Sequence, residues 1–586
     1  MTDKGVYPYD YMNSFDKFND EQLPSKQRFY SQLYENEITD KDYIRAKVVW
    51  ENFNIKNLGE YHDLYLMTDV HLLTDVFENF RDMCLNYYGL DPAYYITLPN
   101  FSWNVFLYKT GVRLEHIHIQ EMYEMIEKGL RGGMTPCSHK LVEANNKYMR
   151  EDYDKSKPSS FIAYLDANNL YGLAMCKKLP LNNFKWHYSK IDEKKVMSYS
   201  DDDDTGYILE VDLDYPSELH DLHKDYPLAP EIMTVNENML SSVQKEVHKY
   251  YYDKEASDEK TSKLILNVMD KKKYVLHISA LKFYLKHGLK LKKVHRAISF
   301  YQSDFLKPFV EFNTEKRKQA KNEFEKDLFK LMNNSVYGKT MENVRNHIDF
   351  ELVINPVRFQ KLVNKPTYKH RHIINENLVG VEQEKHTVEL NKPIYMGMSI
   401  LDYSKIHMYS FFYDVLKPKY GDKIKLVYTD TDSCVIQVDT EDLFEDLKEM
   451  KEYMDFSDYP VEHPNYDKTN KKVLGKFKDE MNGKIITKFI GLKPKSYCYK
   501  IYGEDKDHKK SKGIVKHKVS SELDYDKYKE TLNRNLKQTV NFNIIRSKDH
   551  QLYSINQTKY ALSNYDNKRY WLSDTESLPY GHYSIC

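Results

Sequence analysis

The sequence predicts a mixed α/β (α+β) fold, and three observations carry this prediction. Apolar segments with β character, 424–427 and 435–438, flank an aspartate-rich stretch. A third apolar segment of this kind, 161–166, ends in an aspartate. The long stretch from Thr314 to Gly338 has the 3.6-residue spacing of an amphipathic helix, with the glycine as its stop signal. Strands and a long helix in this order are typical of α/β proteins, which place their chemistry at strand ends.

The aspartate-rich stretch places Asp430 and Asp432 at the tip of a predicted hairpin. Side chains at i and i+2 of an extended chain project from one face, so the two carboxylates are expected to point the same way. Such a pair can hold a divalent metal ion. A solvated, aspartate-rich turn would be the better interpretation of this motif in isolation. The rest of the chain favours the metal site.

Two further segments offer polar side chains. The apolar segment 161–166 delivers Asp166 at its end. On the predicted helix, Lys330, Asn334 and Tyr337 are spaced i, i+4, i+7 and therefore share one face. That face presents an ammonium group, an amide and an aromatic ring. A second face of the same helix is predicted to be buried, and it carries Phe324, Leu328 and Leu331.

Taken together, these motifs resemble family B DNA polymerases. Residues 166–172 resemble the first palm motif, 330–338 the fingers motif and 428–433 the second palm motif. Lys495 and Tyr497 are similar to the Lys-x-Tyr element that follows. The resemblance implies a right-hand polymerase fold with palm, fingers and thumb. It also implies a DNA-directed DNA polymerase that adds deoxynucleotides to a primer.

The flanking segments 4–12, 131–133 and 312–318 are similar to the protein-primed polymerases of self-synthesising Polinton-type transposons. That resemblance implies a terminal protein as partner and a role in replicating a mobile element. The motif order implies the following boundaries: remnant of an exonuclease domain 1–145, palm 146–190 and 396–498, an insertion of the terminal-protein-region type 191–299, fingers 300–345, a second insertion 346–395 and thumb 499–586.

Family B polymerases hold two Mg²⁺ ions, for which Mn²⁺ can substitute. The resemblance assigns the ligands to the carboxylates of Asp166 and Asp432 and to the carbonyl of Ala167. Asp430 would be a supporting carboxylate, and all three aspartates are candidate catalytic residues. Mg²⁺ suits such a site because it prefers few carboxylates together with water and phosphate oxygens.

The incoming deoxynucleoside triphosphate needs cations, and Lys318 and Lys330 match the family's candidates. Asn334 and Tyr337 would line the pocket of the nascent base pair. Tyr171 corresponds to the ring beneath the sugar, where a 2′-hydroxyl would clash, so deoxynucleotides are expected to be preferred. The sequence departs from the family at two positions in this motif, where Ser and Pro are common and this chain has Asn169 and Gly172.

Lys495 and Tyr497 are expected to contact the primer terminus. The surrounding segment 471–518 contains 15 lysines, no arginine and five acids, a net charge of +10, whereas the whole chain has −1. A basic segment on a neutral protein predicts binding to a phosphate backbone without sequence specificity. A second DNA contact, with the template, is implied by similarity for Arg131, Gly132 and Gly133.

The sequence of the N-terminal region predicts that the chain lacks an active exonuclease. Tyr65 and Asp69 resemble the last of three motifs of the family's proofreading exonuclease, which has a ribonuclease H-like fold. The residues before Tyr65 contain no Asp-x-Glu and leave no room for a nuclease sheet. Residues 1–145 are therefore predicted to be a truncated, inactive remnant, and the chain is predicted not to proofread. Either the gene is truncated or the chain is a fragment.

Composition limits the class of protein and its expected cellular location. With 586 residues, 41% apolar and 30% charged, the chain is long enough for several globular domains. It has no run of 18 apolar residues, so no membrane partner is expected. Six cysteines without a Cys-x-x-Cys pair indicate neither a zinc ribbon nor a disulfide framework. We expect an intracellular monomer, nuclear if the host is eukaryotic.

Two alternatives to an active DNA polymerase stay open. A catalytically silent, DNA-binding transposon relic would fit the missing exonuclease motifs, although Asp166, Lys330, Asp430 and Asp432 are all intact. A reverse transcriptase or RNA polymerase would also use palm carboxylates. Its usual adjacent acid pair is absent, and Tyr171 argues against ribonucleotides.

Overall fold

The computed structural model describes residues 4–258, 260–548 and 551–585. Its helices are α1 (Asp40–Asn52), α2 (Leu58–Tyr88), α3 (Leu98–Thr110), α4 (Gln120–Gly129), α5 (Leu170–Met175), α6 (Glu193–Ser198), α7 (His220–His223), α8 (Ser242–Tyr252), α9 (Ile278–Lys286), α10 (Lys307–Gln319), α11 (Glu323–Thr340), α12 (Pro356–Val363), α13 (Ile394–Ser410), α14 (Lys417–Tyr420), α15 (Leu443–Glu449), α16 (Lys516–Glu522) and α17 (Tyr525–Leu532). In the described part of the chain, no helix combines the length and the apolar character needed to cross a membrane.

The strands are β1 (Leu141–Glu143), β2 (Ser160–Ala167), β3 (Leu179–Trp186), β4 (Thr205–Asp214), β5 (Glu231–Met233), β6 (Lys263–Ile265), β7 (Lys271–His277), β8 (Lys290–Ser303), β9 (Asp349–Val353), β10 (Tyr368–Asn375), β11 (Leu378–Gln383), β12 (Ile424–Thr429), β13 (Ser433–Asp439), β14 (Phe477–Asp479), β15 (Ile486–Lys493), β16 (Ser496–Ile501), β17 (His508–Ser511), β18 (Thr539–Lys548), β19 (Gln551–Tyr560), β20 (Tyr570–Trp571) and β21 (Ser577–Leu578).

The chain divides into two compact units. One comprises residues 1–101, 515–518 and 540–559, and the other comprises 102–514, 519–539 and 560–586. We call the second the palm unit, because its largest sheet has the strand order β12-β13-β2-β15-β16-β17, with β14 on β2 and β1 on β15. This sheet brings the two acid-bearing segments of the sequence side by side. Its strands are apolar and nearly continuous in burial, as expected for a sheet covered on its faces.

Two smaller sheets lie inside the palm unit. Strands β3, β8, β4 and β7 form a four-stranded antiparallel sheet. This sheet begins at Leu179, before the boundary at 190 that the sequence suggested, and it ends at Ser303. Strands β10, β11 and β9 form a three-stranded sheet with α12, within the interval predicted for the second insertion.

The long helix predicted from Thr314 to Gly338 is two helices, α10 and α11. The chain is extended at Ala320, with ψ 134°, and Asn322 starts α11 because its side chain accepts a hydrogen bond from the Glu325 amide at 2.9 Å. The predicted stop at Gly338 is also wrong, since α11 continues to Thr340.

The buried face of α11 differs from the prediction as well. Leu328 is buried, but Phe324 and Leu331 are 50% and 47% exposed. Phe324 and Leu331 therefore lie outside the buried face of α11, to which Leu328 belongs. The buried apolar residues of α11 are Leu328, Phe329, Met332 and Val336.

The N-terminal unit is built mainly on helices. Among the described residues 4–101, short 3-10 turns and an isolated bridge precede α1, a further 3-10 turn follows α2, and no strand is present. Its small core contains Phe29, Ala46, Leu58 and Tyr61. Residues 540–559 of the β18–β19 hairpin belong to the same unit.

The C-terminal segment is tied to the palm by buried polar contacts. His139 lies between two carboxylates, with its Nδ1 2.9 Å from Glu576 Oε2 and its Nε2 3.1 Å from Asp225 Oδ1. Lys140 Nζ donates to the carbonyl of Asn564 at 2.6 Å and lies 3.9 Å from the centre of the Trp571 ring. These contacts hold residues 564–576 against the strand edge at β1.

Candidate active site

Strand register places Asp166 and Asp432 at neighbouring strand ends. Strands β2 and β13 are antiparallel with Ser433 opposite Asp166, and the Ala167 amide donates to the Asp432 carbonyl at 2.7 Å. On the other side of β2, strand β14 puts Lys478 opposite Asp166. Because neither strand can slip without exposing its apolar residues, the register fixes the two acids beside each other.

The electrostatics of this pair are those of a cation site. Burial and the charge of Asp432 raise the pKa of Asp166 to about 8, and Glu480 adds to that effect. Burial also raises the pKa of Asp432. Two desolvated carboxylates that destabilise each other's charge are a hard-oxygen donor set, and a divalent cation would relieve both costs. The residues present therefore fit the predicted metal ions.

The turn between β12 and β13 is held by the loop that precedes the palm sheet. Thr431 has a left-handed backbone with φ 72°, and its amide donates to the carbonyl of Met134 at 2.9 Å. A Cβ added to Gly133 would lie 2.1 Å from Thr431 Oγ1, which is too close for any side chain. Glycine at 133 is thus required by the close approach of this loop to the turn that carries both aspartates.

Asp430 has an ion-pair partner of its own, although its charge also raises the pKa of Asp432. Its Oδ1 is 3.1 Å from Lys495 Nζ, so a lysine neutralises it. The Lys495 amide in turn donates to the Tyr428 hydroxyl at 3.1 Å. The structure thereby joins the second palm motif to the Lys-x-Tyr element. Asp430 positions Lys495, consistent with a supporting carboxylate.

Tyr497 is buried instead of exposed at the surface. Its ring lies 5.2 Å from that of Tyr428, and its hydroxyl is 3.4 Å from the hydroxyl of Tyr164. The three rings form an aromatic layer beneath the strand ends. Of the two residues predicted to contact the primer terminus, only Lys495 has an exposed side chain, at 46%.

Tyr171 stacks on Tyr337, with ring centroids 4.3 Å apart and an interplanar angle of 20°. This contact joins α5 of the palm to α11 of the fingers. The two departures from the family motif contact each other: the Asn169 side chain accepts from the Gly172 amide at 3.2 Å, and a Cβ at Gly172 would lie 2.2 Å from Asn169 Nδ2. They form one local cap that positions Tyr171.

The fingers helices present cations to a small cavity. It has a volume of about 100 Å³, and its lining includes Arg317, Lys330, Asn168, Asn169 and Lys472. The charge of Lys330 acts on both Asp166 and Asp432, opposing the rise of their pKa values. Within the described residues, the buried Nε atom of Arg317 has no hydrogen-bond partner.

Two other predicted nucleotide contacts have different surroundings. The buried Oδ1 atom of Asn334 has no hydrogen-bond partner among the described residues, so it is available to a ligand. Lys318 Nζ is 3.9 Å from Glu315 Oε2 on the same helix, and Lys318 is not among the residues that line the cavity. The structure therefore brings Lys330 to the candidate nucleotide site and leaves Lys318 on the outer face of α10.

Arg131 is buried, at 6% exposed, and does not face solvent as a DNA contact would require. Its Nη1 donates to the Val275 carbonyl at 2.7 Å, and its guanidinium carbon lies 3.6 Å from the centre of the Tyr274 ring. The guanidinium interacts with the protein itself, because buried hydrogen-bond donors are nearly always paired with acceptors. Gly132 is exposed, so its backbone can still approach a template.

Sequence reasoning missed Glu480 and Lys478, whose charges act on Asp166 in opposite directions. Lys478 also pairs with Asp458. The segment 477–480 carries no motif; only its pairing with β2 brings it to the acids.

The exonuclease-like residues lie in the N-terminal unit, on α2. The Tyr65 hydroxyl is 2.6 Å from that of Tyr9, and its ring lies 4.8 Å from the Tyr7 ring. Asp69 follows one turn later and is hydrogen-bonded to Tyr65. Tyr65 and Asp69 of the exonuclease-like motif therefore lie on one helix, and Tyr7 and Tyr9 contact Tyr65.

Comparisons with known proteins agree with this architecture. Residues 1–417 match the family model for DNA polymerase type B, organellar and viral. Phi29 DNA polymerase in an orthorhombic crystal form is similar in structure, with 13% sequence identity, a TM-score of 0.50 and coverage of 95% of this chain and 79% of that one. Phi29 DNA polymerase in a ternary complex with primer-template DNA and incoming nucleotides has 14% identity, a TM-score of 0.49 and coverage of 96% and 79%.

No curated protein matches the chain in sequence. The likeness to Phi29 DNA polymerase confirms the mixed α/β, right-hand polymerase fold. The family match spans the first palm motif and the fingers motif, and it covers well over half of the chain. The protein therefore belongs to the organellar and viral family of type B DNA polymerases and is a DNA-directed DNA polymerase.

Proposed function

We propose that this polymerase adds deoxynucleotides to a primer 3′ end, or to the hydroxyl of a terminal protein, by two-metal phosphoryl transfer and without proofreading. The observation that carries the proposal is the register of β2 and β13, which sets Asp166 beside Asp432 in a desolvated site. Such a pair, when ionised, costs folding free energy that a bound cation would offset. A catalytically silent relic would have no reason to keep it.

Asp166, Asp432 and the carbonyl of Ala167 would hold two Mg²⁺ ions, or Mn²⁺ in their place. When bound, the ions neutralise charge on the reacting phosphate oxygens and align the attacking and leaving groups. Asp430 keeps Lys495 in place through their 3.1 Å ion pair, at the position proposed for the primer terminus.

The side chains of the fingers would bind and select the nucleotide. Lys330 supplies positive charge to the triphosphate, with Lys318 as a second candidate from α10. The Tyr171 ring, stacked on Tyr337, blocks the space that a ribose 2′-hydroxyl needs. The buried Oδ1 atom of Asn334, which has no partner among the described residues, would be available to the nascent base pair. Positioning and charge neutralisation supply most of the rate enhancement in phosphoryl transfer.

Protein priming and a role in a Polinton-type mobile element rest on the motif resemblance. Residues 179–303 contain a four-stranded sheet between the first palm motif and the fingers motif, and this sheet would be the surface for a terminal protein. We propose that the enzyme acts as a monomer on primer-template DNA. The lack of proofreading rests on α2, where Asp69 is bonded to Tyr65 on a helix with no neighbouring strand among residues 4–101.

Primer extension on a recessed DNA template tests the proposal. Wild-type protein with Mg²⁺ is expected to extend the primer with deoxynucleotides and not with ribonucleotides, and Asp432→Asn is expected to abolish extension. Asp422→Asn is the matched control, because Asp422 is exposed at the start of the same hairpin. If folded wild-type protein binds primer-template but adds no nucleotide, the relic interpretation is correct.

A further inference from the structure

We propose that the middle of helix α2 is a docking site for a basic amphipathic helix of a partner protein. The docking surface consists of six exposed apolar side chains, and we call it the α2 face. Its members are Leu66, Met67, Val70, Leu73, Val76 and Phe77. The α2 face lies outside the palm and fingers motifs, so docking there does not depend on the proposed catalysis.

The exposure of these side chains is concentrated in one part of the helix. Their exposed fractions run from 41% for Phe77 to 69% for Leu73. The buried residues of α2 lie towards its two ends, at 58–68 and 84–88, and none of the described residues between them is buried. In a soluble protein, a contiguous exposed apolar surface of this kind marks an interaction site.

The spacing of the exposed residues indicates a helical partner. Four of them follow one another at intervals of four, three and four residues, which places them in a single row along the helix: Leu66, Val70, Leu73 and Phe77. Met67 and Val76 widen the row, one on each side. Alternating intervals of four and three residues are those of the seam along which two α-helices pack. The surface is the convex side of a helix, so it does not enclose a small molecule as a cavity does.

The charge of α2 selects the chemistry of the partner. The helix carries six acids and one arginine, a net charge of −5 with its histidines neutral, whereas the whole chain has −1. Arg81 also pairs with an acid beyond the helix, since its Nη2 is 2.7 Å from Asp91 Oδ2. Asp63, Asp75 and Asp82 are exposed. A partner with lysines or arginines beside its apolar seam would therefore be attracted to α2.

The same charge disfavours two other occupants. A second copy of the chain would bring two helices of −5 together, and like charges across an interface weaken association. Nucleic acid would be repelled by these acids, because its phosphates bind lysine and arginine side chains. A basic amphipathic helix fits both observations, since its apolar seam would cover the row from Leu66 to Phe77 while its cations face the acids.

The experiment measures binding of a fluorescent peptide to the full chain by anisotropy, without DNA, nucleotide or metal. The peptide has three heptads, about 21 residues, with leucine at the two seam positions and lysine at the others. A second peptide has glutamate in place of every lysine. We expect wild-type protein to bind the lysine peptide at least about tenfold more tightly than the glutamate peptide.

Two matched variants locate the binding. Leu73→Lys puts a charge in the middle of the row, and Asn79→Lys adds the same charge on the opposite side of α2 as the control. Because both positions are exposed, both variants should unfold at the wild-type temperature. We expect Leu73→Lys to weaken binding of the lysine peptide about tenfold and Asn79→Lys by about twofold or less. Val70→Lys, in the same row, should behave like Leu73→Lys.

Three results would overturn the proposal. If the lysine peptide does not bind, or binds no better than the glutamate peptide, the charge of α2 does not select a basic partner. Equal affinity of the lysine peptide for Leu73→Lys and Asn79→Lys would place its binding outside the α2 face. A wild-type dimer in sedimentation that Leu73→Lys dissociates and Asn79→Lys does not would make a second copy the occupant. Because no catalysis is measured, these outcomes stand whether or not the wild-type protein extends primers.

Discussion

Two regions of the molecule carry aspartates in polymerase-type motifs, and they differ in how the chain brings acids together. In the palm unit, Asp166 and Asp432 come from distant segments and meet through the register of β2 and β13. In the N-terminal unit, Tyr65 and Asp69 lie one turn apart on α2, and Tyr65 is bonded to Tyr9. The palm pair is assembled by long-range strand pairing, whereas the Tyr65–Asp69 motif on α2 supplies a single carboxylate.

The acids of the two regions also differ in their local environments. In the palm, burial and the charge of Asp432 raise the pKa of Asp166 to about 8, so its ionised form is destabilised in the absence of a cation. On α2, the carboxylate of Asp69 is matched with a tyrosine hydroxyl. The palm pair therefore has the desolvated carboxylates expected of a metal site, whereas the α2 motif has one carboxylate hydrogen-bonded to a tyrosine.

The largest effect is expected from Asp166→Asn. Removing one carboxylate of the pair should lower the rate of single nucleotide incorporation by about 1,000-fold, because charge stabilisation at the reacting phosphate is lost. The same change should remove the rise in unfolding temperature that Mg²⁺ is expected to give wild-type protein. Affinity for primer-template DNA without metal serves as the control for folding. Near-normal incorporation would show that the palm pair is no more a metal site than α2.

A smaller effect is expected at Tyr171, which packs between palm and fingers against Tyr337. Tyr171→Val should reduce the preference for deoxynucleotides over ribonucleotides by about 100-fold, since space opens where the 2′-hydroxyl clashes. Tyr171→Phe is the matched control, because it keeps the ring and should keep the preference. Competitive incorporation of the two nucleotide types measures the ratio. An unchanged ratio in Tyr171→Val would place the sugar elsewhere.

The sequence predicted the strands that carry Asp166 and flank Asp430 and Asp432, because their apolar patterns are strong. It predicted one helix where Asn322 caps a second one, since a single capping side chain outweighs the periodicity around it. The buried positions of Arg131 and Tyr497 were missed because their partners, Val275 and Tyr164, are distant in sequence. Charges brought together only by folding, such as those of Lys478 and Glu480 near Asp166, have no local signal.

The palm unit contains a contact whose contribution to stability should depend on pH. In it, His139 lies between the carboxylates of Asp225 and Glu576. Although burial opposes protonation, the hydrogen bonds to Asp225 and Glu576 raise the pKa of His139 above 6.5. Its protonated form then stabilises the fold fully below the unfolded value of 6.5, and this stabilisation is lost as pH rises through the folded pKa. We expect His139→Gln to lower the unfolding temperature more at about pH 6 than at about pH 9. Equal falls in unfolding temperature at both pH values would contradict a charged His139 between the two carboxylates.

The substitution Asp69→Asn is expected to have no effect on primer shortening or primer extension. Wild-type protein incubated with Mg²⁺ and a mismatched, end-labelled primer, without nucleotides, should leave the primer at full length, and the variant should do the same. Primer extension by the variant should equal that of the wild type, because α2 contributes no acid to the palm pair. Shortening that depends on Asp69 would mean that this helix recruits carboxylates from other parts of the chain. The contrast between strand-paired and helix-borne acids would then fail, because the α2 motif would be a second metal site instead of a remnant.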